Sequence, residues 1–147
     1  MTTLQKSGTM IPITITKETV LVVKEQDVVP LRNTVKQCAV KIKMGLVNQT
    51  KLITAASELV RNMLRYAKGG AVLVETVSVG RNQGVKLTFQ DDGPGIADIN
   101  QAMQDGFSTG NSLGLGLPGT KRLVNEFDIK STVGSGTTVT IIKWVNG

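Results

Sequence analysis

The sequence predicts an α+β domain, a mixed, mostly antiparallel sheet with helices packed on one face. Three observations carry that expectation. β-branched runs with a period of two occur near the N-terminus and again in the second half. Two long stretches between them repeat apolar residues at helical spacing. The resulting order is strand, helix, helix, hairpin, loop, helix, hairpin, with no compact βαβ unit.

Taken in order, residues 1–11 are polar and are expected to form a flexible segment, leaving 12–147 as one domain. ITIT (Ile13–Thr16) and TVLVV (Thr19–Val23) predict a strand or two. Asp27 can cap a helix running to about Met44, with Val28, Leu31, Val35, Cys38, Ala39 and Ile42 on one stripe and Gly45 as the stop. Asn48 can cap a second helix that ends at Gly69-Gly70, its apolar stripe running from Leu52 to Ala67. AVLVETVSV and VKLTFQ, joined by GRNQG, predict a hairpin, and a short helix is expected around Asp98–Gln104. Residues 105–117 predict a mobile glycine-rich loop, Leu117–Phe127 a helix, and IKSTV with TTVTIIKWV a closing hairpin around Gly134-Ser135-Gly136.

Composition excludes several functions. A chain of 147 residues can bury one core without staples, and 40% hydrophobic with 19% charged residues is ordinary for a globular domain. No apolar run reaches membrane-spanning length, the N-terminus lacks the apolar centre of a signal peptide, and a lone Cys38 offers no disulfide framework. A cytoplasmic location without membrane attachment is expected. The net charge of +6 suits an anionic ligand or an acidic partner. Nucleic acid is not expected, because the basic residues are scattered and only three Phe, one Tyr and one Trp could stack on bases. The absence of histidine removes His triads, His metal sites and a His general base.

Three elements could bear chemistry. GLGLPG (Gly114–Gly119) spells a dinucleotide fingerprint, but no strand precedes it, and it nearly spells a P-loop with Thr120 and Lys121 in the wrong order. The loop runs into a helix that begins near Pro118, whose unpaired amides favour an anion, and Lys121 or Arg122 could add charge. A plain flexible linker is the bland alternative. Glu58 and Asn62 stand at i and i+4 on one helical face, beside Ser57, Arg61 and Arg65. An Asn carbonyl can bind Mg²⁺ alongside phosphate oxygens and water, and a Glu one turn away can deprotonate a hydroxyl. A solvated polar face would look the same. In DDGPGI, a carboxylate at a strand end followed by two glycines could accept from an exocyclic amine, or be an acidic turn.

Together and in this order the three elements resemble the GHKL ATPase family, the Bergerat fold shared by gyrase, Hsp90 chaperones, histidine kinases and mismatch-repair ATPases. ELVRN (Glu58–Asn62) is similar to the family's Asn-bearing helix, DDGPG to its D-x-G-x-G box, LGLGL (Leu113–Leu117) to its lid box, and GSGTTV (Gly134–Val139) to its final G-x-G-T element. Within the family, ITAASELVRNMLRYA, DGFSTGNSLGLGLPGTKRLVNEFDI and the short lid resemble the RsbT-type stressosome kinases of the anti-sigma-factor kinase branch. The resemblance implies a serine/threonine kinase that uses ATP and Mg²⁺, phosphorylates STAS-domain proteins and, as a partner switch, activates a PPM-type phosphatase. Rival readings are an anti-sigma factor that holds a sigma factor directly, and a non-catalytic nucleotide-gated adaptor.

By the same resemblance Glu58 is the general base and Asn62 carries Mg²⁺. Asp91 takes adenine with Thr137 supporting it, and Gly93, Gly95 and Ile96 complete that box. Gly114, Leu115, Gly116, Leu117, Gly119, Thr120 and Lys121 surround the phosphates, and Arg65 falls where the family places a phosphate-contacting Lys. Two departures are visible: Asp92 stands where the family commonly has Asn, and residues 105–117 lack the lid Arg of related kinases, which leaves Lys121 or Arg122 to substitute.

Overall fold

In the computed structural model, residues 3–4, 10–104 and 116–147 are described. Thr3–Leu4 (β1) pairs antiparallel with Met10–Ile11 (β2), inside the segment expected to be flexible. Ile13–Val22 (β3) is a single ten-residue strand rather than two, because Lys17 and Glu18 stay in the ladder with their side chains exposed. Its irregularity is a register shift between Thr14 and Thr16.

Asp27 does not cap the first helix through its side chain. Its backbone is already helical (φ −71°, ψ −13°), and its carboxylate accepts from the amides of Val23 and Lys24 at 2.9 and 3.1 Å, closing the turn before the helix. The Val23 amide foremost, with that of Lys24, holds its carboxyl below the usual carboxylate range. The first helix, Val28–Lys41 (α1), buries Leu31, Val35 and Ala39 at four-residue spacing. Gly45 is not a stop for α1 but the residue before the second helix, Leu46–Ala67 (α2). Asn48 therefore lies in the first turn rather than at the cap, and its amide donates to the Val145 carbonyl at 3.3 Å.

Two long strands follow, Gly70–Val79 (β4) and Asn82–Asp91 (β5). Their link is the two residues Gly80 and Arg81, shorter than GRNQG, because Asn82, Gln83 and Gly84 pair with Val79, Ser78 and Val77. A short helix, Ile99–Ala102 (α3), is capped by Asp98, whose Oδ1 accepts from the Gln101 amide at 2.9 Å. Leu117–Leu123 (α4) ends four residues before the predicted Phe127. There a period of two overrides the helical spacing: Phe127 and Ile129 belong to Glu126–Thr132 (β6) and pair with Ile141 and Val139 of Gly136–Trp144 (β7).

The main sheet has the order β3-β4-β5-β7-β6. Every pairing is antiparallel, which corrects the expected mixed sheet. The reason lies in the connection from β3 to β4. One crossover helix would return the chain parallel, whereas two successive helices, α1 and α2, bring it back to the end it left. Alternate residues of the central strands, Val72, Val74, Leu87, Phe89 and Ile141, join Leu31, Val35, Leu52, Leu59 and Val60 of the helices in one core. Lys143 of β7 is only 4% exposed. Burial, and secondarily the Lys51 ammonium, pull its ammonium below the usual lysine range.

Candidate active site

A cavity of about 360 Å³ opens between α2, the end of β5, the loop after it and β7. The helix contributes Leu59, Asn62, Met63 and Tyr66, whose i, i+3, i+4, i+7 spacing puts them on one face. Phe89, Ile129 and Val139 make an apolar floor, and Asp91 and Thr137 stand together at one end. Such a slot suits a flat ring that needs a few placed polar partners.

Asp91 is fixed by backbone. Its Oδ1 accepts from the amides of Gly93 at 2.9 Å and Thr137 at 3.2 Å. The carboxylate lines the cavity, where it can accept from a ligand. Thr137 thus supports Asp91 through its amide, while its hydroxyl lies 2.7 Å from Ser131 Oγ. Ser131 also accepts from the Ile96 amide at 2.7 Å and donates to the Gly136 carbonyl at 3.1 Å. The Gly134 amide donates to the Pro94 carbonyl at 2.9 Å, so the DDGPG loop and the β6–β7 turn interlock. Gly136 has φ +102°, and a Cβ there would collide with the Asp91 carbonyl, so no other residue fits the strand start.

Glu58 is not among the residues that line the cavity and is half-buried on α2. Its Oε2 is 3.8 Å from Arg61 Nη1. Its other oxygen lies 2.6 Å from where a Cβ on Gly116 would stand, and Gly116 has φ +64°. The backbone entering α4 therefore rests on the Glu58 carboxylate, a packing only glycine permits.

The remaining predicted residues divide. Asn62, Asp91, Gly95, Ile96, Leu117 and Thr137 line the cavity. Gly93 acts from behind, through its amide on Asp91. Thr120 is buried at 2% exposure, and its hydroxyl donates to the Gly116 carbonyl at 3.0 Å, which turns it away from the cavity. Gly119, Lys121 and Arg65 are exposed and do not line the cavity; the Arg65 guanidinium lies 5.9 Å from the centre of the Tyr66 ring. Gly114, Leu115 and the rest of the predicted loop at 105–115 fall outside the described residues.

Tyr66 and Ser131 escaped the sequence reading. The first was legible as one helical turn beyond Asn62. Nothing in KST announces the second, whose importance comes from a cross-strand neighbour.

Among the described residues no group of three or more His, Cys, Asp and Glu side chains could hold a metal alone. The donor set fits Mg²⁺ only in the manner of a nucleotide site, where one protein oxygen such as that of Asn62 joins phosphate oxygens and water. No helix of the described residues is long and apolar enough to cross a membrane.

An antiparallel sheet that holds a strand-end carboxylate across a slot from an Asn-bearing helix is the frame of one class of ATP-using proteins. Residues 47–146 match the model of the histidine kinase-, DNA gyrase B- and HSP90-like ATPase family, a span that includes both walls of the cavity, and the chain belongs to that family. Within it, the chain is 43% identical over 126 residues to the serine/threonine-protein kinase RsbT of Bacillus subtilis (strain 168), covering 86% of this chain and 95% of that protein. It thus stands with the RsbT-like serine/threonine kinases. The anti-sigma F factor of Anoxybacillus flavithermus (strain DSM 21510 / WK1) is 31% identical over 119 residues, 76% of this chain and 80% of that one. The anti-sigma F factor of Thermoanaerobacter sp. (strain X514) is 32% identical over 97 residues, 63% and 67%.

Proposed function

We propose that the chain transfers the γ-phosphoryl group of ATP to a Ser or Thr hydroxyl of a STAS-domain protein in a cytoplasmic stress-signalling pathway. One observation carries the reading: Asn62 and Asp91 face one cavity from opposite walls, with Glu58 a helical turn from Asn62 and outside the cavity, where a protein can reach it. Adenine would donate its amine to Asp91 and rest on the apolar floor. Asn62 would hold Mg²⁺, which neutralises phosphate charge when bound. The phosphates would lie toward Gly116 and the start of α4.

Glu58 would accept the hydroxyl proton as the new oxygen–phosphorus bond forms and the bond to the β-phosphate oxygen breaks, releasing ADP. Positioning and electrostatics supply most of the acceleration in such a transfer. By kinship with the RsbT branch, phosphorylation of the STAS partner would free the kinase to activate a PPM-type phosphatase. Radiolabelled ATP, Mg²⁺ and a panel of STAS proteins test this: label is expected on one or a few of them. Transfer to none would sink the substrate class.

The identity to anti-sigma F factors favours a second reading, in which the chain also binds a sigma factor directly. Pull-downs with a sigma factor and with a PPM phosphatase as separate baits distinguish the two.

A further inference from the structure

We propose that Ser131 is a positioning residue that sets the donor–acceptor polarity of Thr137 and thereby selects a purine bearing an amino rather than an oxo group at Asp91. The proposal rests on reading the cavity as an adenine nucleotide site. A serine hydroxyl has one proton and two acceptor lone pairs. At Ser131 all three are in use. The proton goes to the Gly136 carbonyl at 3.1 Å, and one lone pair receives the Ile96 amide at 2.7 Å. The Gly136 carbonyl can only accept, so we assign the 2.7 Å contact with Thr137 Oγ1, in which either hydroxyl could donate, as one in which Thr137 donates and Ser131 accepts.

The consequence falls on Thr137, which lines the cavity while Ser131 does not. With its proton directed at Ser131, the Thr137 hydroxyl offers the cavity lone pairs only. Asp91 beside it is a carboxylate whose Oδ1 already accepts two amides. Both side chains at this end are acceptors, so the facing edge of a base must donate. An amino group satisfies that requirement, whereas an oxo group sets three oxygens against one another. Sites with fixed polar groups reject a mismatched analogue strongly because those groups are left unpaired.

Calorimetric titration of the full chain with ADP and with IDP, which differ at this edge of the base, tests the proposal. The unmodified chain is expected to prefer ADP. In Ser131→Ala the Thr137 proton is released to turn toward an oxo group, and the preference should fall about tenfold. Ser131→Thr, which keeps the hydroxyl, should retain it. Thr137→Val provides a second route should Ser131→Ala fail to fold, and it too should lose preference. Affinities for both nucleotides that weaken in parallel, with the ratio unchanged in Ser131→Ala or in Thr137→Val, overturn the proposal. Absence of ADP binding to the unmodified chain would overturn the nucleotide reading itself, a result distinct from an unchanged ratio.

Discussion

At the Asp91 end of the cavity, segments far apart in sequence interlock; at the Glu58 end, one helix supplies almost everything. Asp91, Gly93, Ile96, Ser131, Gly136 and Thr137 are tied by hydrogen bonds that run through backbone amides and carbonyls. Glu58 and Arg61 stand on α2 with 36% and 63% of their side chains exposed, their single ion pair at 3.8 Å. Exposed pairs of this kind hold geometry weakly, about 0.2–1 kcal/mol. The difference matches two tasks. On the proposed function, a small rigid ligand would be recognised by groups fixed in advance, while a protein hydroxyl would be admitted to Glu58 from solvent.

Substitutions at the two ends should therefore fail in different ways. The largest effect is expected from Glu58→Gln, which should lower phosphoryl transfer about 10²–10⁴-fold while leaving ATP affinity within about twofold. Single-turnover transfer beside nucleotide titration measures both, and near-normal transfer would remove Glu58 as the base. Asp91→Asn should do the reverse and weaken ATP binding about a hundredfold, because its new amide donor faces the adenine amine. Unchanged affinity would show that adenine lies elsewhere.

Gly116→Ala tests whether the backbone entering α4 positions Glu58. Its Cβ would meet the Glu58 carboxylate at 2.6–3.0 Å and force a left-handed alanine. Transfer should fall about tenfold, and in the Glu58→Gln background the same change should cost little more. Equal losses in both backgrounds would mean that Gly116 acts on the phosphates rather than on the base.

The smallest effect belongs to Lys143→Met, which touches neither end. The folded-state value of Lys143 lies below its ordinary 10.5, so between the two the unfolded chain binds the extra proton. Stability contributed at this position therefore rises with pH through that window. Removing the buried ammonium should raise the melting temperature at neutral pH by about 4 °C, flatten that rise, and leave nucleotide affinity unchanged. A destabilised variant would contradict the burial cost.

The same contrast governed what the sequence could disclose. The placement of Glu58 and Asn62 one turn apart on α2 was legible because helical spacing is a local property, and that of Asp91 because a carboxylate before two glycines closes an apolar strand. Ser131 was not, since its role depends on β6 lying against β7 and on the loop carrying Ile96. Two errors in element reading share that cause. Phe127 looked helical until its pairing with Ile141 made it a strand residue, and Asn48 looked like a cap although its partner is the carbonyl of Val145, 97 positions away. Thr120 had the right chemistry for a phosphate, but its position in the first turn of α4 gave its hydroxyl a nearer acceptor at Gly116.

β7 is the last of the described strands in the chain, yet it lies inside the sheet, between β5 and β6. During synthesis, then, β5 keeps a bare edge and Asp91 lacks the Thr137 amide until β7 has emerged. A partly made chain exposes an unpaired strand of Val85, Leu87 and Phe89, which is the hazard that recruits chaperones or seeds aggregation. Closure of the sheet and completion of the proposed nucleotide pocket are the same event, so capture of nucleotide by the nascent chain would mark the pairing of β7 with β5.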